Sequence, residues 1–325
     1  MPDSLVLETI KSVIAASSPL VFAGIGETLT EKSGVVNLSL DGTILLSAMA
    51  GFAVAYVSGS LMLGFVVAMI VGAAIAWIVA YSSIALKQNQ VAVGFVLTLL
   101  CADLSSFMGN PYVRKPGPSV LHLPIPGLAD IPILGPILFD QNLLVYLSYL
   151  AIIIAWIWLS KTQPGLALRS VGERPEAAFA RGVNVNRLRY IYTMLGGSLV
   201  GLAGATYSLS VKLGWSHRHT AGIGWIALAI VIFGGWSPIR VALGAYLFGA
   251  LKSLSSILQP IPAFHNIPTQ IFQAAPFALM IVALLLVSGN FQRLQLYLPP
   301  KLRPIIDAVT RSAPPAALGK RFEQG

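Results

Sequence analysis

LMLGFVVAMIVGAAIAWIVAYSS, residues 61–83, is an apolar run without a single charge. A helix needs about 20 such residues to cross the ~30 Å hydrocarbon core of a bilayer. Lipid offers no hydrogen bonds, so the backbone must pair within the segment, which makes this run a membrane-spanning helix. The pattern recurs on both sides of it. Nine spans are expected, over residues 8–28, 38–57, 61–83, 90–108, 142–160, 190–211, 221–236, 241–258 and 271–288, with eight to ten as the range. Composition agrees: 56% of the 325 residues are apolar and 10% charged, where a soluble domain carries about a quarter charged. The expected fold is an all-α integral membrane protein, a polytopic helical bundle over residues 1–298 with a basic tail over 299–325.

Several spans are irregular. The first carries Glu8, Lys11 and Pro19, and the second starts in a Gly/Asn/Ser-rich stretch and holds Asp41. Interrupted helices of this kind surround solute paths in transporters. Loop charges set the orientation. Residues 161–189 hold Lys161, Arg169, Arg174, Arg181, Arg187 and Arg189, and the tail holds Arg293, Lys301, Arg303, Arg311, Lys320 and Arg321. Basic loops stay in the cytoplasm, and the four expected spans between the two segments give them the same side. The tail is expected to be disordered or to lie on the membrane surface. The loop 109–141 then falls outside, with only Arg114 and Lys115 and with seven prolines from Pro111 to Pro136. Nine spans put the N-terminus outside, and Asp3 and Glu8 in place of a basic leader argue against a cleaved signal. The net charge of +9 is this cytoplasmic bias rather than a nucleic-acid signal. Cys101, the single cysteine, excludes an intrachain disulfide, a four-Cys zinc site and an iron–sulfur cluster.

Within the basic loop, residues 172–189 read GERPEAAFARGVNVNRLR. Pro175 suits a first helical position, where its missing N–H is not needed. Glu176 favours the positive end of a helix and Arg181 the negative end. Gly182 suits the left-handed residue that stops it. The spacing predicts a helix of about two turns, too short to be stable without a packing partner. Phe179 is its apolar anchor. From chemistry alone the helix either lies on its own protein or on lipid, or docks into a partner.

This loop resembles the cytoplasmic coupling loop of the branched-chain-amino-acid, ribose and nucleoside group of ABC permeases, roughly G-E-N-P-E-A-A-x-x-A-G-I-x-V. Gly172, Glu173, Pro175, Glu176, Ala177, Ala178, Gly182 and Val185 match, and Arg174 replaces the usual Asn. Residues 26–42, GETLTEKSGVVNLSLDG, resemble the nucleoside-permease pattern G-E-x-x-x-E-x-x-G-x-x-N-x-G-x-E-G through Gly26, Glu27, Glu31, Gly34, Asn37 and Gly42, with Ser39 replacing Gly and Asp41 replacing Glu. A third similarity is GIGWIALAIVIFGGWSP at 222–238. Together with similar length and span order, they extend the resemblance over most of the chain from about residue 20 to 290, and the similarity is greatest to the shorter permease of nucleoside or simple-sugar importers. The resemblance implies a bacterial cell-membrane complex. It would hold a second permease, in a heterodimer, two cytoplasmic ATPases that use ATP and Mg, and an extracytoplasmic solute-binding protein. No cofactor is then bound by this chain, consistent with the lack of a G-x-x-x-x-G-K-[S/T] phosphate loop. Gly172, Glu173, Arg174, Pro175, Glu176, Ala177, Ala178, Phe179, Arg181 and Gly182 are the expected ATPase-coupling residues.

The expected solute path is polar: Asn37, Asp41 and Thr43 at the start of the second span, Thr98 and Asp103 on the fourth. A carboxylate deep in lipid costs several kcal/mol unless it faces protein or water, so Asp41 either lines the path or satisfies free N–H groups at a helix start. Glu27, Glu31 and Lys32 are expected at the cytoplasmic edge as a solvated ion pair. Asn89 and Gln90 suit a helix cap. Phe95, Phe107, Trp215 and Trp225 could stack on a base or anchor spans at the interface. Gly197 and Gly201 form a GxxxG spacing, with Gly204 next, the mark of close helix packing. His217-Arg-His219 is a weak metal motif, and no H-E-x-x-H or G-x-S-x-G occurs, so no catalytic or metal residue is assigned. A secondary transporter or channel remains the alternative class. It explains the spans but not the coupling loop, and more often carries ionisable residues in several spans. An intramembrane enzyme lacks any acid–base or metal constellation.

Overall fold

The computed structural model describes residues 2–258, 274, 277–278, 281 and 313–323. Among these residues it is helical throughout, with a lone β-bridge between His122 and Asn142 and no β-strand. Among the described residues, six helices are long and apolar enough to cross a membrane. They lie in α1 (Pro2–Lys32), α2 (Leu40–Ser58), α3 (Leu61–Ile84), α4 (Gln90–Gly109), α5 (Leu143–Lys161) and α8 (Val185–Thr206). Two short helices, α6 (Gln163–Glu173) and α7 (Pro175–Ala180), fill the basic loop, and α9 (Ile223–Phe233) and α10 (Pro238–Leu258) follow. The seventh and eighth expected spans correspond to α9 and α10. The ninth, 271–288, falls almost wholly outside the described residues.

Helix starts follow local chemistry. The side chains of Asn89, Asn142, Thr162 and Asn184 accept from free N–H groups of the turns they precede. Gln90 does more than begin α4: its Oε1 accepts from Val36 N–H at 2.7 Å, tying down the link before α2. α1 runs unbroken through Pro19. Proline removes the N–H that would reach Ala15 O, and the Ser18 hydroxyl donates to that carbonyl instead, at 2.9 Å. The helix therefore keeps its carbonyl satisfied where lipid would not satisfy it.

α1, α2 and α8 are mostly buried, while α3, α4 and α5 turn most of their surface outward. Small residues let α8 reach its neighbours. A Cβ on Gly201 would stand 2.1 Å from Ala68 O of α3, one on Gly72 the same distance from Gly197 O, and one on Gly26 2.5 Å from Gly196 O. Helix association in lipid rests on such packing, since lipid tails are as apolar as the side chains. The GxxxG spacing is thus the α3–α8 seam, and Gly204 continues it against Ile44 and Ser47 of α2.

The loop 110–142 and the segment 207–222 meet at one end of the bundle: Arg114 N–H donates to Trp215 O and Val120 N–H to Leu209 O. Asp140 anchors this loop to α1 through Lys11 at 2.5 Å and also meets His122. The Lys11 ammonium, then His122, holds the Asp140 carboxyl below the usual carboxylate range. The loop 161–189 occupies the opposite end, across the length of α5. Residues 313–323 pack against that same end, with Ala317 N–H donating to Gly172 O at 2.8 Å and Ala317 buried. This part of the tail is therefore seated on the protein, rather than free or spread on lipid as its basic, Pro/Ala-rich composition suggests.

If backbone contact sets the α3–α8 seam, Gly201→Val should lower the thermal stability of the detergent-solubilised chain markedly. Overpacking of this kind costs about 1–3 kcal/mol or more. Gly59→Ala, at a left-handed position with nothing within 4 Å, should cost only about 1 kcal/mol. Equal melting temperatures for the two variants would contradict the seam.

Candidate translocation and coupling sites

Two helices start in the middle of the bundle. The link 33–39 climbs from the end of α1 until Leu38 O accepts from the Thr98 hydroxyl at 2.7 Å, halfway along α4. α2 begins there. From the other end, the segment 212–222 descends to start α9 beside Asp41. At eleven residues, α9 spans only about 16 Å, half a bilayer core. The seventh expected span, 221–236, is thus a helix from Ile223 to Phe233, too short to cross the membrane alone. The two starts touch: a Cβ on Gly224 would stand 2.2 Å from Asp41 N, and Gly224 N–H donates to Asp41 Oδ1 at 2.9 Å.

A carboxylate at a helix N-terminus meets free N–H groups and the positive end of the peptide dipoles, an arrangement of up to ~2 kcal/mol when partly buried. Asp41 therefore answers free N–H groups, as one sequence reading held, but those of α9 rather than of its own helix. Around it, Asn37 Oδ1 accepts from Ser39 N–H at 3.1 Å and from the Ser39 hydroxyl at 2.6 Å, and Ser39 Oγ lies 3.2 Å from Thr43 Oγ1. Asn37, Asp41, Thr43 and Thr98 are all buried. The structure brings these four together. Asp103 lies apart from them, on the exposed surface at the Pro-rich-loop end, paired with Arg218 at 3.1 Å.

Glu27 and Glu31 are not at a solvated edge. Both are buried, and neither forms an ion pair with Lys32. Trp236, which follows α9, donates its indole N–H to Glu31 Oε2. Neither oxygen of Glu27 closes a hydrogen bond among the described residues, although the Asn37 N–H is turned toward it. The motif 26–42 is therefore the buried joint between α1, α2 and α9. Sequence reasoning missed Gly224 and Trp236 as its partners. Both lie in the third similarity, 222–238, whose apolar character hid them.

The basic loop forms the short helix that its sequence predicts. Pro175 takes the first position, α7 ends at Ala180, and Gly182 is left-handed at φ +84° with its N–H on Phe179 O at 2.8 Å. Pro175 and Ala178 face inward, Ala178 onto Val171 and Val185. Glu176, Ala177, Arg181 and Gly182 face outward, and Phe179 is 42% exposed. Beside α7, Leu166, Ala167, Ser170, Ala177 and Arg181 line an open, largely apolar groove of about 510 Å³. A Cβ on Gly172 would meet Lys32 O at 2.2 Å, so the loop also abuts the end of α1.

Residues 9–284 match the family model of the permease component of the branched-chain amino acid transport system. The chain belongs to this permease family. It is 39% identical to a Haloferax volcanii protein named as a glucose ABC transporter permease, over 75% of this chain and 76% of that one. It is 35% identical to the guanosine ABC transporter permease protein of Bacillus subtilis, over 85% and 90%. It is 33% identical to a nucleoside ABC transporter permease protein of Lactococcus lactis, over 88% and 95%. Each of the three organisms has a second, more distant relative whose name carries the same solute, at 24%, 22% and 28% identity. The protein is thus a multi-pass permease subunit of an ABC transporter. It works with a partner ATPase, where ATP hydrolysis lies, and as one of a pair of permease subunits.

In this permease the aromatic side chains divide. Phe95 and Phe107 are exposed on α4, Trp225 is partly buried, and Trp215 is fully buried against Gly109. His217 packs on the Trp215 ring, and His219 lies within reach of Ser208 and Ser216 O. No group of three or more His, Cys, Asp or Glu residues able to hold a metal occurs among the described residues.

Asp41→Asn keeps an acceptor oxygen for Gly224 N–H, whereas Asp41→Ala leaves a buried donor unpaired, at about 1–3 kcal/mol. The expected order of thermal stability is wild type, then Asn, then Ala. An Ala variant as stable as the Asn variant would mean that this contact does not join α2 to α9.

Proposed function

We propose that this permease forms, with a second and related permease, the path by which nucleosides enter a bacterial cell. The observation that carries the solute class is the match to guanosine and nucleoside permeases over more than four-fifths of the chain. The glucose-named relative supports a second reading, a simple sugar, over a shorter stretch. The paired relatives in three organisms support a heterodimer. An extracytoplasmic binding protein delivers the solute to the end formed by 109–141 and 212–220. This chain binds no cofactor; ATP and Mg act in the ATPase. About nine segments cross the membrane. The loop 161–189 and the C-terminus both lie in the cytoplasm, a placement supported by their basic residues and by the contact between Ala317 and Gly172.

Asn37, Asp41, Thr43 and Thr98 line the path near mid-membrane, and Asp103 lies at its outer mouth. Nucleosides carry hydroxyls and ring nitrogens that each need a partner once dehydrated. In the closed arrangement Asn37 and Thr43 bond to Ser39, while Asp41 and Thr98 bond to backbone. Parting α2 from α9 would offer the same groups to solute. Residues 172–182 form the coupling element, with α7 seated in a groove of the ATPase and Phe179 as its anchor. ATP-driven closure of the two ATPases moves their grooves, and the permease halves rock between outward- and inward-facing states.

Reconstituted transporter with its ATPase and binding protein tests this. Uptake of labelled guanosine should exceed that of glucose, and unlabelled nucleosides should compete. Phe179→Ala should weaken ATPase co-purification or uptake. Gly182→Val should hurt as well, since nothing crowds that position and the penalty lies in its backbone, about 1–2 kcal/mol. Alanine at Asn37, Thr43 and Thr98 should alter rate or selectivity. Full uptake and ATPase binding in both loop variants would remove the coupling role. Glucose uptake without competition by nucleosides would favour the sugar reading.

A further inference from the structure

The segment 313–323 makes contacts that its composition does not suggest. Gly172 and Gly34, one from each of the two sequence motifs, give their carbonyl oxygens to it: Ala317 N–H donates to Gly172 at 2.8 Å and Gly319 N–H to Gly34 at 3.0 Å. Ala316 N–H donates to Glu173 Oε2 at 3.2 Å. Arg189, buried in the second turn of α8, donates from Nε to Ser33 O at 3.2 Å and from Nη1 to Lys320 O at 3.0 Å. One guanidinium thus holds the end of α1 and the tail together. Glu323 pairs with Lys87, beyond the end of α3, at 2.8 Å.

The apolar side of the segment is as specific. Phe322 packs into the cluster of Val171, Ala178 and Val185 beneath α7, and its ring centroid lies 5.6 Å from that of Phe179. Gly319 is left-handed at φ +73°, which turns the chain between its contact with Gly34 and the Phe322 contact. A disordered basic tail would show no such pattern of backbone pairing, buried cation and aromatic insertion at once.

We infer that residues 313–323 are a positioning tie for the coupling element, fixing α7 to the ends of α1, α3 and α8 through Phe322, Arg189 and the two motif carbonyls. α7 itself has six residues and packs mainly on α6. A helix that short passes on a displacement only through what is fastened to it. The tie supplies the fastening: a push on α7 reaches α1 through Gly34 and α8 through Arg189, and α1 and α8 are the helices that pack on the α2–α9 joint. The inference rests on α7 being the coupling helix.

The test is the ratio of solute taken up to ATP hydrolysed, in the full reconstituted transporter, for Phe322→Ala, Phe322→Tyr, Gly319→Val and Phe179→Ala. Phe322→Ala and Gly319→Val are expected to lower that ratio severalfold while the ATPase co-purifies as with wild type, and Phe322→Tyr should restore it. A wild-type ratio in both Phe322→Ala and Gly319→Val would overturn the tie. So would loss of assembly in step with uptake in both, which would make the segment a folding element only. If Phe179→Ala lowers the ratio or the co-purification while the tail variants do neither, α7 couples and the tie alone fails. If Phe179→Ala changes nothing, the coupling reading fails and the tie falls with it.

Discussion

The contact between Asp41 and Gly224 N–H is the constraint from which the middle of the bundle follows. Two stretches of irregular chain, 33–39 and 212–222, reach membrane depth. Non-helical backbone is tolerated there only when protein or water satisfies it. A carboxylate at the start of α2 meets the open N–H groups at the start of α9, so each irregular stretch ends against the other. Gly224 is required by the same contact, since a side chain would collide with the Asp41 backbone. Around this crossing Asn37, Ser39 and Thr43 pair locally, and Thr98 takes the carbonyl of Leu38. The polar groups are closed against one another, at the one depth where two helices start and can part.

Much of the fold is legible from sequence because its signals are local. A long apolar run has one solution in lipid, so the second to fifth spans fall within about two residues of their helices, and the first and sixth within about six. Pro175 and Gly182 set the limits of α7 by backbone geometry that no tertiary contact overrides. Gly197 and Gly201 advertise a close approach, although the partner, Ala68 and Gly72 of α3, cannot be read from the spacing.

What sequence could not reveal depends on pairing across distance. Glu27 and Glu31, one turn apart before Lys32, look like a solvated edge because charge density in a window is all that such a reading uses. Their burial follows from α9 and Trp236, some 200 residues away. Asp41 looked alike as path lining or as helix cap, and its partner was hidden in an apolar segment. Arg189 counted as one of six loop charges, yet it is buried and its donors go to two backbone carbonyls. The tail failed for a related reason: composition measures whether a segment can form its own core, and 313–323 instead borrows one.

The two ends of the mechanism are connected through glycine. Gly26 lets α1 lie against Gly196 of α8, Gly34 turns the chain and offers its carbonyl to the tail, and Gly172 brings the basic loop onto Lys32 O. At each place a side chain would hold the backbones apart. Such contacts are short and stiff, because backbone meets backbone with no flexible side chain between. Interiors packed this closely shift between discrete arrangements rather than deform continuously. α1 carries Gly26 on one face and Glu31, held by Trp236 beside α9, on another. In the proposed coupling, α1 would pass a displacement from the basic-loop end to the α2–α9 joint. The same glycines that make the sequence motifs recognisable thus set the close backbone contacts around α1.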